Sequence, residues 1–180
     1  VEIASEYEDF LIPNLGLHPT STDDFKNLEE VKEQIREHDS VAVGEIGLDH
    51  HHVKDEETQE RQREVFEGLL GLAEELGKPV NVHSRDAEQE TIEVLKKYDL
   101  PDVLIHCFNG TVDQAVEAVE NGMTIGVTTQ VLYSEHVQSI VEALSVEDVI
   151  LETDSPFLYR GGRNEPVNVV ESAGKIAEIK

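Results

Sequence analysis

The sequence predicts an α/β fold of the β/α-barrel kind, and three observations carry that expectation. Short β-branched runs alternate with longer amphipathic stretches over 180 residues, the pattern of βαβ units and a parallel sheet. Polar and ionisable residues gather just after one strand candidate after another, which is how a barrel builds a site on its C-terminal face. No G-x-G-x-x-G fingerprint is present, so the doubly wound alternative lacks its phosphate loop.

Taken in order, strands are expected over 10–17, 41–46, 79–83, 103–108, 123–127 and 149–153, each a run rich in apolar and β-branched residues. Helices are expected over 22–37, 56–76, 86–98, 112–120 and 134–144, with a last one beginning near Pro166. In the longest, Val65, Leu69, Leu72, Ala73 and Leu76 recur at three- and four-residue steps and mark one face. Thr22 ahead of Phe25 reads as a capped start, and Gly77 before Lys78-Pro79 as a stop. A complete barrel has eight units in about 250 residues. The six units here are therefore expected to form a single domain, 1–180, of an incomplete barrel lacking two N-terminal units. The only methionine is Met123, and the chain opens at Val1 in a helical stretch, which agrees with missing upstream sequence.

Acidic residues outnumber basic ones 39 to 14, a formal charge of −25. Nucleic-acid binders usually carry a basic face, and none is visible. At 1 M salt the Debye length falls to about 3 Å, which removes the self-repulsion such a charge imposes on a compact state. The acidity therefore reads as adaptation of a cytoplasmic protein to high salt; the competing reading is an acidic partner-binding surface. Recurrent apolar runs exclude a disordered acidic tail. No run approaches about 18 apolar residues, so no membrane span is expected. The single cysteine, Cys107, excludes an intramolecular disulfide, and neither a signal peptide nor a lipidation motif is recognisable. Oligomeric state is left open.

The expected strand ends supply the chemistry. They read Gly16-Leu17-His18-Pro19, Gly44-Glu45-Ile46-Gly47-Leu48-Asp49, His83-Ser84-Arg85-Asp86, His106-Cys107-Phe108-Asn109 and Glu152-Thr153-Asp154-Ser155-Pro156. Imidazoles and carboxylates together suit zinc, manganese and similar divalent ions. Glu45 sits inside an apolar strand, where a buried carboxylate needs a charge partner or a metal. His83 and His106 each end a hydrophobic run; singly each is an ordinary hydrogen-bonding residue, and together with Glu45 and Asp154 they form a ligand set. Asp154 either caps the turn at Ser155-Pro156 or acts as ligand or base. His18 is a turn histidine beside Pro19 or a contact to a substrate phosphate. Arg85 pairs near Asp86 or touches substrate. Arg163, Asn164 and Glu165 are expected to brace a loop, and Cys107 to be a small buried residue. His50-His51-His52 is expected to be a solvated loop, and His38 and His136 surface residues.

These motifs, in this order from Gly16 to Pro166, resemble the TatD family of metal-dependent deoxyribonucleases in the amidohydrolase superfamily. The resemblance implies a TIM-type barrel with divalent metals at the strand ends, Mg, Mn or Zn, one or two per chain, and a DNA substrate. Carried over by motif, it implies Glu45 as the metal-binding or bridging carboxylate and His83 and His106 as ligands of one metal. Asp154 becomes ligand or base beside the attacking water, so that Asp154 and Glu45 are the catalytic pair. His18 and Arg85 are the substrate-binding residues. The family's opening strand has an Asp/His-rich motif, and here the first motif present is the Gly-x-His-Pro one. His50 and His51 stand where aromatics often follow, and Asn109 where serine is usual.

Two rival expectations accompany this one. The same bowl of ligands suits hydrolysis of another ester or an amide, although superfamily amidohydrolases often bridge metals with a lysine, and Glu45 takes that place here. Alternatively, a six-unit chain exposes two strand edges, a pairing liability, and serves only as a metal-binding or interaction module.

Overall fold

The computed structural model describes residues 2–7, 10–38 and 40–180. The chain divides into two compact units, Val1–Val103 and Leu104–Lys180.

The first unit contains α1 (Glu2–Glu6), β1 (Asn14–Leu15), α2 (Leu28–Glu37), β2 (Ala42–Asp49), α3 (Glu56–Leu76), β3 (Val80–Arg85) and α4 (Glu88–Leu95). Its strands run in the order β1-β2-β3, parallel throughout. The core is the layer between α3 and β2. Val65, Phe66, Leu69, Leu70, Leu72 and Ala73 of the helix are buried, as are Val43, Ile46 and Leu48 of the strand. The helix face is thus wider than the expected stripe. Its ends follow local chemistry. Asp55 accepts a hydrogen bond from the Thr58 backbone N–H, an N-cap, and Gly77 closes the helix in the left-handed region at φ 61°.

Two expectations in this unit are corrected. The strand over 10–17 is reduced to Asn14–Leu15. Pro13 has no N–H to give a ladder, and Phe10 and Ile12 stand 85% and 69% exposed. The helix over 22–37 begins as a 3-10 turn, Thr22–Asn27, without a side-chain cap, before α2 starts at Leu28.

The second unit takes in β4 (Val103–His106, from Leu104 onward), α5 (Val112–Glu120), β5 (Met123–Val127), α6 (Glu135–Ala143), β6 (Val149–Leu151) and α7 (Val169–Ile179). The order is β4-β5-β6, with β5 and β6 parallel. Helix α5 starts with a reciprocal capping box between Thr111 and Gln114. Asn164 fixes the long segment after β6. It is 1% exposed, its Nδ2 donates to the carbonyls of Thr153 and Phe157, and its Oδ1 accepts from Asn168 Nδ2 and the Glu165 backbone N–H. Arg163 and Glu165 are exposed, so the bracing expected of all three side chains falls to Asn164. Among the described residues no helix is long and apolar enough to cross a membrane.

Candidate metal centre

Two groups of three potential donors occur among the described residues, His18, Glu45 and His83 in the first unit and His106, Cys107 and Asp154 in the second. Within each group the donor atoms lie within 4.8 Å of one another.

In the first unit, the ladder between β2 and β3 pairs Gly44 with Asn81 and Ile46 with Val82, leaving Glu45 unopposed. Such a bulge re-aims a side chain and is favoured next to active sites. The Glu45 carboxylate reaches the imidazoles on both sides: Oε1 lies 2.8 Å from His83 Nδ1 and 3.4 Å from His18 Nε2. Glu45 is half-buried, its side chain 30% exposed, rather than enclosed as expected, because the bulge carries it to the strand exit.

Each imidazole is held by its far nitrogen. His83 Nε2 lies 3.0 Å from Asp49 Oδ2, and Asp49 is fully buried. Burial alone would raise the Asp49 carboxyl. Hydrogen bonds from the His52 backbone N–H and from the His52 and His83 side chains, with attraction to His83, outweigh it and hold the carboxyl below its ordinary value. An ionised Asp49 accepts a hydrogen bond from His83 Nε2–H in the tautomer that turns the Nδ1 lone pair towards Glu45. This is the outer-shell carboxylate that orients a ligating histidine. His18 is fixed in the opposite sense. The Thr20 backbone N–H donates to His18 Nδ1 at 3.2 Å, so a neutral His18 carries its proton on Nε2. It is a hydrogen-bond donor beside the Glu45–His83 pair.

Gln62 ties these pieces together. It is fully buried on the apolar face of α3. Its Nε2 donates to the Pro19 carbonyl at 2.9 Å and its Oε1 accepts from the Asp49 N–H at 3.2 Å. The turn that carries His18 and the strand end that carries Asp49 are thereby stapled to one helix.

In the second unit, His106 Nδ1 contacts Glu152 Oε2, leaving Nε2 at 3.6 Å from Asp154 Oδ1. The other Glu152 oxygen accepts from the Cys107 backbone N–H at 2.6 Å. Space for this carboxylate exists because residue 126 of β5 is glycine; a Cβ there would fall inside contact with Glu152 Oε1. Cys107 and Asp154 have φ of 46° and 55°, in a region that non-glycine residues seldom occupy and that clusters at functional sites. Cys107 is half-buried, not buried as expected, because the left-handed turn after β4 ends the strand alternation.

The remaining expected residues are placed as follows. Arg85 ends β3, is exposed, and makes no ion pair among the described residues; Asp86 instead faces His51 and Lys54. His51 and His52 are exposed, but His50 is half-buried with its Nε2 out of contact with solvent and unpartnered, so that loop is only partly solvated. His38 and His136 are exposed. Asp49, Gln62 and Glu152 orient the donor groups, which sequence reasoning does not anticipate. Gln62 had a legible signal, being a polar residue one step before Val65 on the apolar stripe.

The donor chemistry fits a divalent cation in both units. Each unit offers an imidazole with one ring nitrogen facing an orienting carboxylate and the other facing a second carboxylate.

Comparison with known proteins agrees with this chemistry. The family model for TatD-related DNases matches residues 1–180. An uncharacterized metal-dependent hydrolase of Methanocaldococcus jannaschii is 40% identical over 185 residues, covering 100% of this chain and 71% of the relative. The human deoxyribonuclease TATDN3 is 34% identical, with 100% of this chain and 71% of that protein covered. The crystal structure of the TatD homolog YJJV from Escherichia coli superposes with a TM-score of 0.84 at 30% identity, covering 98% of this chain and 72% of that one. The α/β fold of parallel strands is accordingly that of the TIM-type barrels of these homologues. The chain belongs to the TatD-related DNase family of metal-dependent hydrolases.

Proposed function

We propose that this protein hydrolyses phosphodiester bonds of DNA, with Glu45, His83, His106 and Asp154 as metal ligands. The observation that carries the reading is the committed far nitrogen of each ligand histidine, on Asp49 for His83 and on Glu152 for His106. A metal-ligating histidine almost always has such an outer-shell partner, which fixes its tautomer and ring orientation. The name of the human relative supports DNA as the substrate.

A bound divalent ion supplies charge for the phosphate and a water acidic enough to attack near neutral pH. The chain's own residues do the rest. Asp154, half-buried and next to His106, orients the attacking water and takes its proton. His18 presents its Nε2–H to a phosphate oxygen as charge develops there. Arg85, exposed and uncommitted, adds positive charge at the β3 exit. With a formal charge of −25, phosphate affinity rests on the cations and on Arg85 rather than on a basic face. The acid-rich composition supports a cytoplasmic setting of high salt.

The test is Glu45→Ala and Asp154→Ala in the full chain, assayed with Mg²⁺ or Mn²⁺ on single-stranded DNA beside phosphoester and amide substrates. Loss of DNA cleavage by about 10²–10⁴-fold is expected for Asp154→Ala, with the fold kept by circular dichroism. Unchanged cleavage, or turnover of the amide alone, refutes the assignment. His18→Ala should lose turnover while keeping its metal content; loss of metal would make His18 a ligand instead.

A further inference from the structure

We propose that the segment after β6, residues 155–163, holds the substrate strand, with the Phe157 ring stacking on a base next to the scissile phosphate and Arg160 and Arg163 contacting phosphates along it. The proposal rests on the phosphodiesterase reading above and deepens it, naming single-stranded DNA as the form the site grips.

One exposed ring on a surface is ordinary; the setting of this one is not. Phe157 is 66% exposed, yet the backbone around it is tied down. Its N–H donates to the Asp154 carbonyl at 2.8 Å, and its carbonyl accepts from the buried Asn164 Nδ2. The next carbonyl, that of Leu158, accepts from Thr129 Oγ1 at 2.6 Å and from the Tyr133 hydroxyl at 3.2 Å. The Tyr159 hydroxyl donates to Glu171 Oε1 of α7 at 2.9 Å. The chain thus fixes where the ring is rooted and leaves most of it in water. A residue pre-organised in this way loses little freedom when a base covers it.

Charge points to the same partner. No Asp or Glu occurs over 155–164, in a chain whose acids outnumber its bases 39 to 14. Arg160 and Arg163 are exposed, and neither makes an ion pair among the described residues. A guanidinium presents a planar fork of donors that matches phosphate. A ring beside uncommitted cations is the combination that binds single strands. A duplex keeps the faces of its bases inside the stack and offers such a ring nothing to cover. Asp154 and Phe157 close one turn of chain, their Cα atoms less than about 7 Å apart, so a phosphate at Asp154 brings the adjoining base within reach of the ring.

The test compares cleavage, with Mn²⁺, of oligothymidylate and of an equally long oligomer with tetrahydrofuran in place of every base. Phe157→Ala should raise KM for oligothymidylate on the order of tenfold and leave KM for the baseless oligomer at the parent's value. Phe157→Trp should restore it, with melting temperature and metal content unchanged in both variants. Arg160→Gln and Arg163→Gln should weaken both oligomers, each lowering the slope of log KM against log salt by about 0.7. A readout without any variant is the parent's own KM, which should be higher for the baseless oligomer. A folded Phe157→Ala whose KM for oligothymidylate stays within about twofold of the parent's, or rises equally on both oligomers, overturns the proposal. The parent's cleavage of DNA then leaves the phosphodiesterase reading standing. Cleavage of neither oligomer by the metal-loaded parent overturns both.

Discussion

Replacing Gly126 by alanine should dismantle the second-unit donor group without touching a donor. The glycine lies in β5 with no unusual φ, so the backbone accepts alanine and the effect is that of one methyl. A Cβ at this position falls inside contact with Glu152 Oε1 and only 3.1 Å from both Cys107 N and His106 Cα. A relaxed contact between such atoms is about 3.5 Å, so the carboxylate must withdraw by on the order of 1 Å. The bond from the Cys107 N–H, now 2.6 Å, then stretches to about 3.6 Å and ceases to be a hydrogen bond. The contact to His106 is lost with it. Hydrogen bonds to a charged group contribute about 1.5–3 kcal/mol each, and an outer-shell partner is worth roughly 10–100-fold in metal affinity. At about 1.4 kcal/mol per tenfold, the expected loss of zinc affinity is about 1.4–2.8 kcal/mol. The assay is zinc titration against a competing chelator, with thermal melting to confirm a folded chain. A folded variant whose zinc affinity stays within about twofold of the parent's would refute the assignment of Glu152 as the brace.

Three further outcomes are expected. Gln62→Leu leaves the Asp49 N–H and the Pro19 carbonyl without their partner; a buried unsatisfied group costs about 1–3 kcal/mol, and chemical denaturation should register a loss of that order. The Asp55 carboxyl is held below its ordinary value by hydrogen bonds from the Thr58 side chain and backbone N–H. Its contribution is complete above the unfolded value of about 3.9 and is lost as pH falls through the lower folded value. The melting-temperature gap between the parent and Asp55→Asn should therefore be constant above about pH 5 and close below about pH 4. The −25 charge should make the melting temperature rise steeply with KCl towards about 1 M, where the Debye length is about 3 Å; a melting temperature insensitive to salt removes the high-salt reading.

Elements whose causes are local were legible in the sequence. Helix α3 keeps its expected bounds, 56–76, because its apolar period and the stop at Gly77 are local, and the structure adds Asp55 as its N-cap. Strand β5 likewise matches its expected bounds, Met123–Val127. The first strand is shorter than its expected bounds because extended character is not strand pairing. Phe10 and Ile12 have the right composition, yet only Asn14 and Leu15 find partners, in Ala42 and Val43 of β2. Within the candidate site, the residue types at the strand ends announced metal chemistry. The residues that orient them did not, because their partners are remote: Asp49 from His83 by 34 positions and Glu152 from His106 by 46.

The sequence by itself determined that strands and helices alternate, that histidines and carboxylates fall at the strand ends, and that the chain resembles the TatD family. Those are properties of composition, period and order, all of which are written along one dimension. Only the tertiary structure decided the rest. The β2 bulge sends Glu45 to His83, and the missing side chain of Gly126 lets Glu152 reach His106 and Cys107. Each depends on a distance between atoms far apart in the chain, and distance is set by packing.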